Sequence, residues 1–425
     1  MRQAEDLFHI IYEHCRMWEL ELIAAKTQEL QELARVWQGD GRVRLAWAKS
    51  LLNLTVFHGF SGQLEHMADS LCELRNLAYA QPDDSEILLV LASGLINTTN
   101  YYGNHGDLQA MALMLDELRR LALAHPNESE FQLRLAKGLF NATNYYGNHG
   151  DLQAMASALD ELRHLALAHP NEPEIQLRMA GGLANVSSDY GNHGESQAMA
   201  SALDELRHLA LAHPNESEIQ LQLAQGLFNA TNYHRKHGDL QTMTSALDEL
   251  RSLALAHPNE PKIHLVLANG LVNATGDFGK HGDLHAMTSG LDELRSLALA
   301  HPNEPKIQLR LAQGLVNATG NYGKHSDLQA MASALDELRL LAKAHPTELE
   351  IQLELPTALH IQAISDPEHQ SSAIAELKTL AWRFPTHDGI QQLAHEHGVS
   401  YVQQEIAKKE ALERQTLALI NARRR

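Results

Sequence analysis

The chain contains long segments in which apolar residues recur in steps of three and four, the spacing of one face of an α-helix. In residues 151–169 this apolar stripe consists of Leu152, Met155, Leu159, Leu162 and Leu165. Residues 130–146 carry two comparable stripes, and both segments are rich in leucine and alanine, which favour helix. β-Branched residues are few and do not alternate with polar ones, so the pattern predicts a pair of helices and argues against a β-propeller.

Two marker residues recur every 44 positions through most of the chain. A proline is found at Pro82, Pro126, Pro170, Pro214, Pro258, Pro302 and Pro346. An asparagine is found at Asn53, Asn97, Asn141, Asn185, Asn229, Asn273 and Asn317. Because a fixed period of this length is typical of repeat proteins, the sequence predicts seven helical hairpins. We call the first helix of each hairpin helix A and the second helix B.

The residues around helix B are ones that end and start helices. Gly150 suits the C-terminal end of helix A, and Asp151 suits the N-cap of helix B. Pro170 follows helix B and prevents its continuation. Asn171 and Glu174 have the spacing of a capping box, so we expect Asn171 to cap the next helix A.

A single hairpin cannot bury its apolar stripes, whereas stacked hairpins can, and the ends of the stack then need polar caps. We therefore predict an all-α chain with four parts. These are an N-terminal degenerate helical cap (1–41), seven hairpin repeats (42–349), a degenerate shortened repeat (350–388) and C-terminal polar capping helices (389–425).

Over residues 42–349 the chain resembles the tetratricopeptide repeat (TPR) family. The residues that carry the resemblance are Tyr146, the step Gly150-Asp151-Leu152, and Pro170. The unit departs from that family in its length of 44 residues, compared with about 34 in the family. The resemblance implies a right-handed α-solenoid superhelix of TPR-like helix-turn-helix repeats, a concave groove lined by helix A, and a role as a protein-binding scaffold.

The composition narrows the class of partner. The 425 residues carry a net charge of −19, and an acidic chain binds a phosphate backbone poorly, so we expect no nucleic acid. Two cysteines, Cys15 and Cys72, cannot build a disulfide framework or a cysteine zinc site. The N-terminus has no apolar core of a secretory signal, and no run of about 18 apolar residues is found. These features predict a cytoplasmic protein without a membrane span.

One stripe of helix A is polar and is our candidate binding surface. In one repeat it consists of Arg134, Lys137, Gly138, Asn141, Asn144 and Asn148. The TPR resemblance implies that Lys137, Asn144 and Asn148 face the groove. The corresponding candidates in other repeats are Asn100, Asn104, Asn192, Asn232, Lys236, Lys280 and Lys324. The position of Asn148 changes to lysine in the later repeats, so we expect it to contact a ligand that is acidic toward the C-terminal half.

The invariant asparagines, Asn53 to Asn317, allow two interpretations. An amide side chain donates and accepts hydrogen bonds, so a ladder of asparagines could hold a peptide backbone. A structural ladder, in which each amide bonds a neighbouring helix, is the alternative, and the lack of variation between repeats favours it. The mid-helix glycines, such as Gly138, likewise indicate either close helix packing or room for a ligand.

Tyrosines near the end of helix A form a third group. Tyr101, Tyr145 and Tyr233 occupy a position that holds Asp189, Asp277 and Asn321 in other repeats. Because this position alternates between aromatic and polar residues, we expect it to be exposed and available to a partner.

No catalytic or metal-binding motif is recognised in the sequence. Histidines recur at both ends of helix B, but the two series lie about 25 Å apart along a helix, too far for one metal ion. The adjacent Asp160 and Glu161 are expected on the solvated outer face of helix B. We therefore predict a protein that is not an enzyme and uses no cofactor and no metal.

Three functions remain open at this stage. The first is a protein-protein interaction scaffold or adaptor that binds a peptide or protein in the groove. The alternatives are a self-assembling structural protein and a regulatory subunit of a separately encoded enzyme. Measuring the mass of the protein across concentration separates the first two, because a constant monomer counts against self-assembly.

Overall fold

The computed structural model describes residues 20–36 and 40–399, and within these ranges it contains eighteen helices and no strand. The helices are α1 (Leu20–Val36), α2 (Gly41–Phe60), α3 (Leu64–Tyr79), α4 (Ser85–Asn104), α5 (Leu108–Ala124), α6 (Ser129–Asn148), α7 (Leu152–Ala168), α8 (Pro173–Asn192), α9 (Ser196–Ala212), α10 (Ser217–Lys236), α11 (Leu240–Ala256), α12 (Pro261–Lys280), α13 (Leu284–Ala300), α14 (Pro305–Lys324), α15 (Leu328–Ala344), α16 (Leu349–Ser365), α17 (Gln370–Arg383) and α18 (Asp388–Glu396). The predicted all-α construction from successive helical hairpins is confirmed for the described residues.

The even-numbered helices from α2 to α14 are the A helices, and the odd-numbered helices from α3 to α15 are the B helices. Every A helix has 20 residues. Each B helix from α5 onward has 17. The turn between them forms as the sequence predicts, because Gly150 adopts a φ of +76° and Asp151 caps α7 by accepting from the backbone N–H of Ala154 at 3.0 Å.

The predicted capping box at the start of helix A is wrong. The N-cap of α8 is Glu172, and its side chain makes no capping hydrogen bond. Asn171 lies exposed in the preceding turn. That turn is closed by the backbone instead, since the N–H of Glu172 donates to the carbonyl of His169 at 3.2 Å. Pro173 then starts the helix, where a missing N–H has no cost.

The chain divides into two compact units, with the boundary between Ala230 and Thr231. We call them unit 1 and unit 2. Within each unit a helix A packs against its own helix B, the preceding helix B and the neighbouring A helices. The interior consists of the apolar stripes, for example Leu139 in helix A and Leu162 in helix B, both fully buried.

The mid-helix glycines allow close packing between hairpins. A Cβ atom at Gly138 would lie 2.7 Å from Cδ1 of Leu118 and 3.2 Å from Cδ1 of Leu115, both in the preceding helix B. Glycines 94, 182, 226 and 314 face leucines of the preceding helix B in the same way. The structure therefore supports the packing interpretation of these glycines.

A buried glutamine in the first turn of helix A joins successive hairpins. The amide of Gln132 donates to the carbonyl of Ala122 at 2.9 Å and to that of His125 at 3.1 Å. These carbonyls lie at the end of the preceding helix B, where helical N–H donors run out. Each also accepts one backbone N–H, from His125 at 3.3 Å and from Glu128 at 3.2 Å respectively. The same pair of bonds is made by Gln176, Gln220, Gln308, Gln352 and Gln391. This glutamine recurs with the period of the repeat, but its spacing alone does not indicate that its amide bonds the preceding helix.

Beyond the seven repeats, Pro356 lies inside α16, and α17 ends at Arg383. Residues 1–19, 37–39 and 400–425, which include most of the two predicted caps, lie outside the described residues. None of the described helices combines the length and the apolar character that a membrane crossing requires.

Candidate functional site

The last turn of helix A places the variable polar position on the surface. Asn104, Asn148 and Asn192 occupy it in unit 1 and are exposed. In unit 2 the exposed residues at this position are Lys236, Lys280 and Lys324. One of these lysines has a neighbour of opposite charge, since Nζ of Lys280 lies 3.4 Å from Oδ1 of Asp277. The side chain of Lys280 is still 61% exposed, so its charge faces solvent.

The first turn of helix A changes charge in the same direction. In α4, α6, α8 and α10 the second helical position holds Glu86, Glu130, Glu174 and Glu218, whereas in α2 it holds Arg42. In unit 2 the same position holds Lys262 and Lys306, which are exposed. Helices α12 and α14 therefore carry a lysine at both ends, whereas α6 and α8 carry a glutamate and an asparagine.

The two predicted cationic contacts of α6 are engaged in ion pairs. Nζ of Lys137 lies 3.1 Å from Oε2 of Glu174 in the next helix A. Arg134 lies 3.6 Å from Glu130 of its own helix. Both glutamates are more than half exposed, and such surface pairs contribute little stability. A ligand carboxylate could therefore replace either glutamate at small cost.

Two of the predicted contact asparagines bind the neighbouring repeat. Asn100 accepts a hydrogen bond from the hydroxyl of Tyr145, and Asn232 accepts one from the amide of Asn273 at 2.8 Å. Asn144 is half-buried at the equivalent position. The amide oxygens at this position thus help to join adjacent A helices in both units.

The invariant asparagines are half-buried in every repeat. In unit 2, Asn273 donates to Asn232, and Asn317 donates to the backbone carbonyl of Val272 at 3.1 Å. These bonds favour the structural interpretation in unit 2. In the first repeat, Nδ2 of Asn53 is buried without a hydrogen-bond partner. The asparagine amides therefore do not make the same hydrogen bonds in every repeat. A role of this ladder in ligand binding stays a prediction.

The prediction that the tyrosine position is exposed is wrong. Tyr145 is 8% exposed and Asp277 7%, and Tyr101 and Tyr233 are half-buried. The reason is a glycine in the preceding helix A, because a Cβ atom at Gly103 would lie only 2.3 Å from the ring of Tyr145. The side chain fills the space that this glycine leaves and is a packing contact between repeats.

The acidic residues at this position differ in their neighbours. Asp189 packs against Gly147, and burial raises the pKa of its carboxyl group to about 6. Asp277 instead faces Arg235, whose Nη1 lies 3.3 Å from Oδ2 of the carboxylate. The carboxylate of Asp277 is therefore held in an ion pair, whereas burial is the main influence on the carboxyl group of Asp189.

The outer face of helix B is more structured than predicted. Arg163 forms an ion pair with the exposed Asp160 of its own helix and with Glu205 of the next helix B at 2.6 Å. The hydrogen bond with Glu205 raises the pKa of the Arg163 guanidinium. The equivalent inter-repeat pairs are Arg75–Glu117, Arg119–Glu161, Arg251–Glu293, Arg295–Glu337 and Arg339–Glu376, at 2.5 to 2.8 Å. The aspartate is solvated as expected, whereas the glutamate joins neighbouring repeats.

The histidines of the inter-helix turn are held by their own helix. Nδ1 of His149 bonds the carbonyl of Tyr145 at 2.9 Å, and His193 and His281 make the same contact. Across residues 20–36 and 40–399, no three His, Cys, Asp or Glu side chains gather closely enough to hold a metal ion.

Comparisons with known proteins give similarity in structure alone. No protein family matches the chain, and no curated protein matches it. The apo form of RapI is 10% identical, with 86% of this chain and 98% of that chain covered and a TM-score of 0.44. A Rap protein complexed with competence and sporulation factor is 14% identical, with 93% and 99% covered and a TM-score of 0.32. The TPR domain of P58(IPK) is 12% identical, with 86% and 99% covered and a TM-score of 0.22.

Proposed function

We propose that the protein is a non-catalytic binding scaffold whose A helices in unit 2 hold an acidic segment of a protein or peptide partner. The observation that carries this function is the lysine at each end of both α12 and α14. The chain as a whole has a net charge of −19. A basic surface on such a chain attracts an acidic partner locally, while the remaining charge repels acidic molecules elsewhere.

The lysines form two rows that run across successive A helices. One row contains Lys262 and Lys306, and the other contains Lys236, Lys280 and Lys324. Lys262 and Lys280 are 18 residues apart in one helix, so the rows are separated by about 27 Å. Neighbouring A helices pack about 10 Å apart, which sets the spacing of lysines within a row.

This spacing suits an extended chain. An extended segment in the polyproline II conformation has three residues per turn and rises about 3.1 Å per residue. Acidic residues three positions apart therefore lie on one side of it and match lysines about 10 Å apart. Between the rows lie half-buried amides, including Asn269 and Gln313. Their oxygens accept from Arg310, and Gln313 donates one N–H to Glu354, so each amide keeps an N–H that can donate to a peptide carbonyl. The lysines would select the acidic residues, and the amides would hold the main chain.

The partner can be identified by affinity capture from the native host. The full chain with Lys280→Glu and Lys324→Glu should lose a protein that the wild type retains. Lys343→Glu and Lys378→Glu change the net charge equally, but these exposed lysines lie in α15 and α17, so this control should retain the partner. Retention of the same partner by both variants would place recognition away from the lysine rows.

A further inference from the structure

The B helices α5, α7 and α9 of unit 1 each expose a leucine at the same position of their last turn. Leu123, Leu167 and Leu211 are 79%, 72% and 76% exposed. Single exposed leucines are common on protein surfaces, but a row with one leucine per repeat is a regular apolar feature. In unit 2, Leu255 and Leu299 occupy the same position and are also exposed. These leucine side chains remain largely exposed to solvent in a single copy of the chain.

Two recesses lie between these leucines. The first, about 390 Å³, opens between α5 and α7 and has Leu135 and Leu139 of α6 among its lining residues. The second, about 290 Å³, opens between α7 and α9 and has Met179 and Leu183 of α8 among its lining residues. The surface therefore alternates between an exposed leucine and a recess, and the volume of each recess exceeds that of a leucine side chain.

The charges beside the recesses compensate one another. Arg163 and Glu205 line the second recess and pair at 2.6 Å. Glu161 lines the first recess and pairs with Arg119 at 2.7 Å. Because two copies of a chain with a net charge of −19 repel each other, they can approach best where acidic groups are neutralised by arginines. This face of unit 1 meets that condition.

We infer that this face is a docking surface for a second copy of the same chain. We call Leu123, Leu167 and Leu211 the ladder leucines. They and the recesses between them repeat once per hairpin, so a partner must present apolar side chains at the same spacing. A second copy of the chain carries the same leucines at this spacing. An unrelated partner would need to reproduce the spacing of the stacked hairpins.

The arrangement that satisfies both copies is an antiparallel pair with twofold symmetry, the commonest symmetry of homodimers. When the two leucine rows are offset by half a repeat, two leucines of each copy enter the two recesses of the other copy. Leu167 is the central leucine, so it enters a recess of the other copy whichever way the two rows are shifted. This surface lies on the B helices, apart from the A-helix lysines, so each proposal can fail without the other.

Sedimentation of the full chain over a range of concentrations tests this inference. We expect the wild-type mass to rise from monomer to dimer, and Leu167→Glu to weaken dimer formation at least tenfold. Leu113→Glu is the matched control, because Leu113 is a leucine of α5 that is 63% exposed but lies outside the row. A wild type that stays monomeric at every concentration, or equal losses in both variants, would overturn the inference.

Disulfide trapping locates the symmetry axis. With Cys15 and Cys72 changed to serine, the single cysteine of Leu167→Cys should form a covalent dimer under mild oxidation. The two copies of residue 167 are then offset by only half a repeat along the row, about 5 Å, so they lie beside the twofold axis. Leu113→Cys should stay monomeric. Failure of the residue 167 cysteine to cross-link in a sample that sediments as a dimer would overturn the twofold arrangement.

Discussion

Arg163 of one hairpin binds Glu205 of the next through two parallel hydrogen bonds, from Nε to Oε1 at 2.6 Å and from Nη2 to Oε2 at 2.8 Å. Both side chains are about one-third exposed. A bidentate, partly buried pair is stronger than an ordinary surface pair. Because it joins residues 42 positions apart, it stabilises the interface between repeats rather than a single helix.

Removal of this pair should weaken the stack. We expect Arg163→Ala and Glu205→Ala each to lower the free energy of unfolding by about 1 kcal/mol, with a coupling of about 0.5 to 1 kcal/mol in a double-mutant cycle. Urea unfolding followed by circular dichroism gives these values. Asp160→Ala removes only the exposed partner, so it should cost less than about 0.5 kcal/mol. Additive effects of the two alanines would show that the pair contributes no coupling.

Asp189 should make stability depend on pH in a defined direction. Its folded pKa, about 6, lies above the ordinary value of 3.8, so folding disfavours the ionised form. This cost is absent below pH 3.8, grows as the pH rises, and is complete above pH 6. Each pKa unit corresponds to about 1.4 kcal/mol, which solvent screening reduces.

Asp189→Asn should therefore stabilise the protein at pH 7.5 by about 1 to 2 kcal/mol and have little effect at pH 4. Thermal unfolding at the two pH values measures the difference. Asn321 shows that an amide is accommodated at the equivalent position of another repeat, where it is 5% exposed. Asp160→Asn, at an exposed position, should show no such dependence. Equal effects of Asp189→Asn at both pH values would contradict a raised pKa.

Two glycine-to-alanine substitutions should change the free energy of unfolding in opposite directions. Gly103→Ala places a Cβ atom 2.3 Å from the ring of Tyr145, so we expect a loss of about 1 to 3 kcal/mol from overpacking. At Gly320 the nearest atom to a new Cβ is Cδ1 of Ile361 at 3.6 Å, an ordinary contact. Gly320→Ala should stabilise its helix by up to about 1 kcal/mol. Urea midpoints of the two variants test the contrast, and two changes of the same sign would contradict it.

Removal of the buried glutamine in the first turn of helix A should also lower stability. Gln176→Ala removes two hydrogen bonds, to the carbonyls of Ala166 and His169. The carbonyl of His169 keeps the N–H of Glu172, whereas the carbonyl of Ala166 loses its side-chain donor. We expect a cost of about 1 to 3 kcal/mol. Gln153→Ala, in the exposed first turn of α7, should be nearly neutral. Hydrogen exchange of the amides in α7 and α8 would show whether the loss is local to this interface.

The helices and turns could be predicted because they depend on local signals. The steps of three and four in the apolar residues, the positive φ at Gly150 and the cap at Asp151 each act within one hairpin. The failed capping box shows a limit of the same reasoning. Asn171 has suitable chemistry, but the backbone turn between Glu172 and His169 closes without its side chain.

The burial of Tyr145 could not be predicted from its own helix, because the space that it fills lies at Gly103 in the preceding repeat. A signal for this pairing is present in the sequence. Where Arg235 replaces the glycine, Asp277 follows 42 positions later and forms an ion pair with it. A comparison of residues 42 positions apart in successive repeats would have indicated this contact.

The binding of defined acidic peptides tests the central claim most directly. A labelled peptide with glutamate at every third position should bind the wild-type chain more tightly than a scrambled peptide of equal charge. Its affinity should fall with added salt, and Lys280→Glu with Lys324→Glu should lower it at least tenfold, whereas Lys343→Glu with Lys378→Glu should not. Equal binding of both peptides, or equal losses in both variants, would contradict recognition by the lysine rows of unit 2.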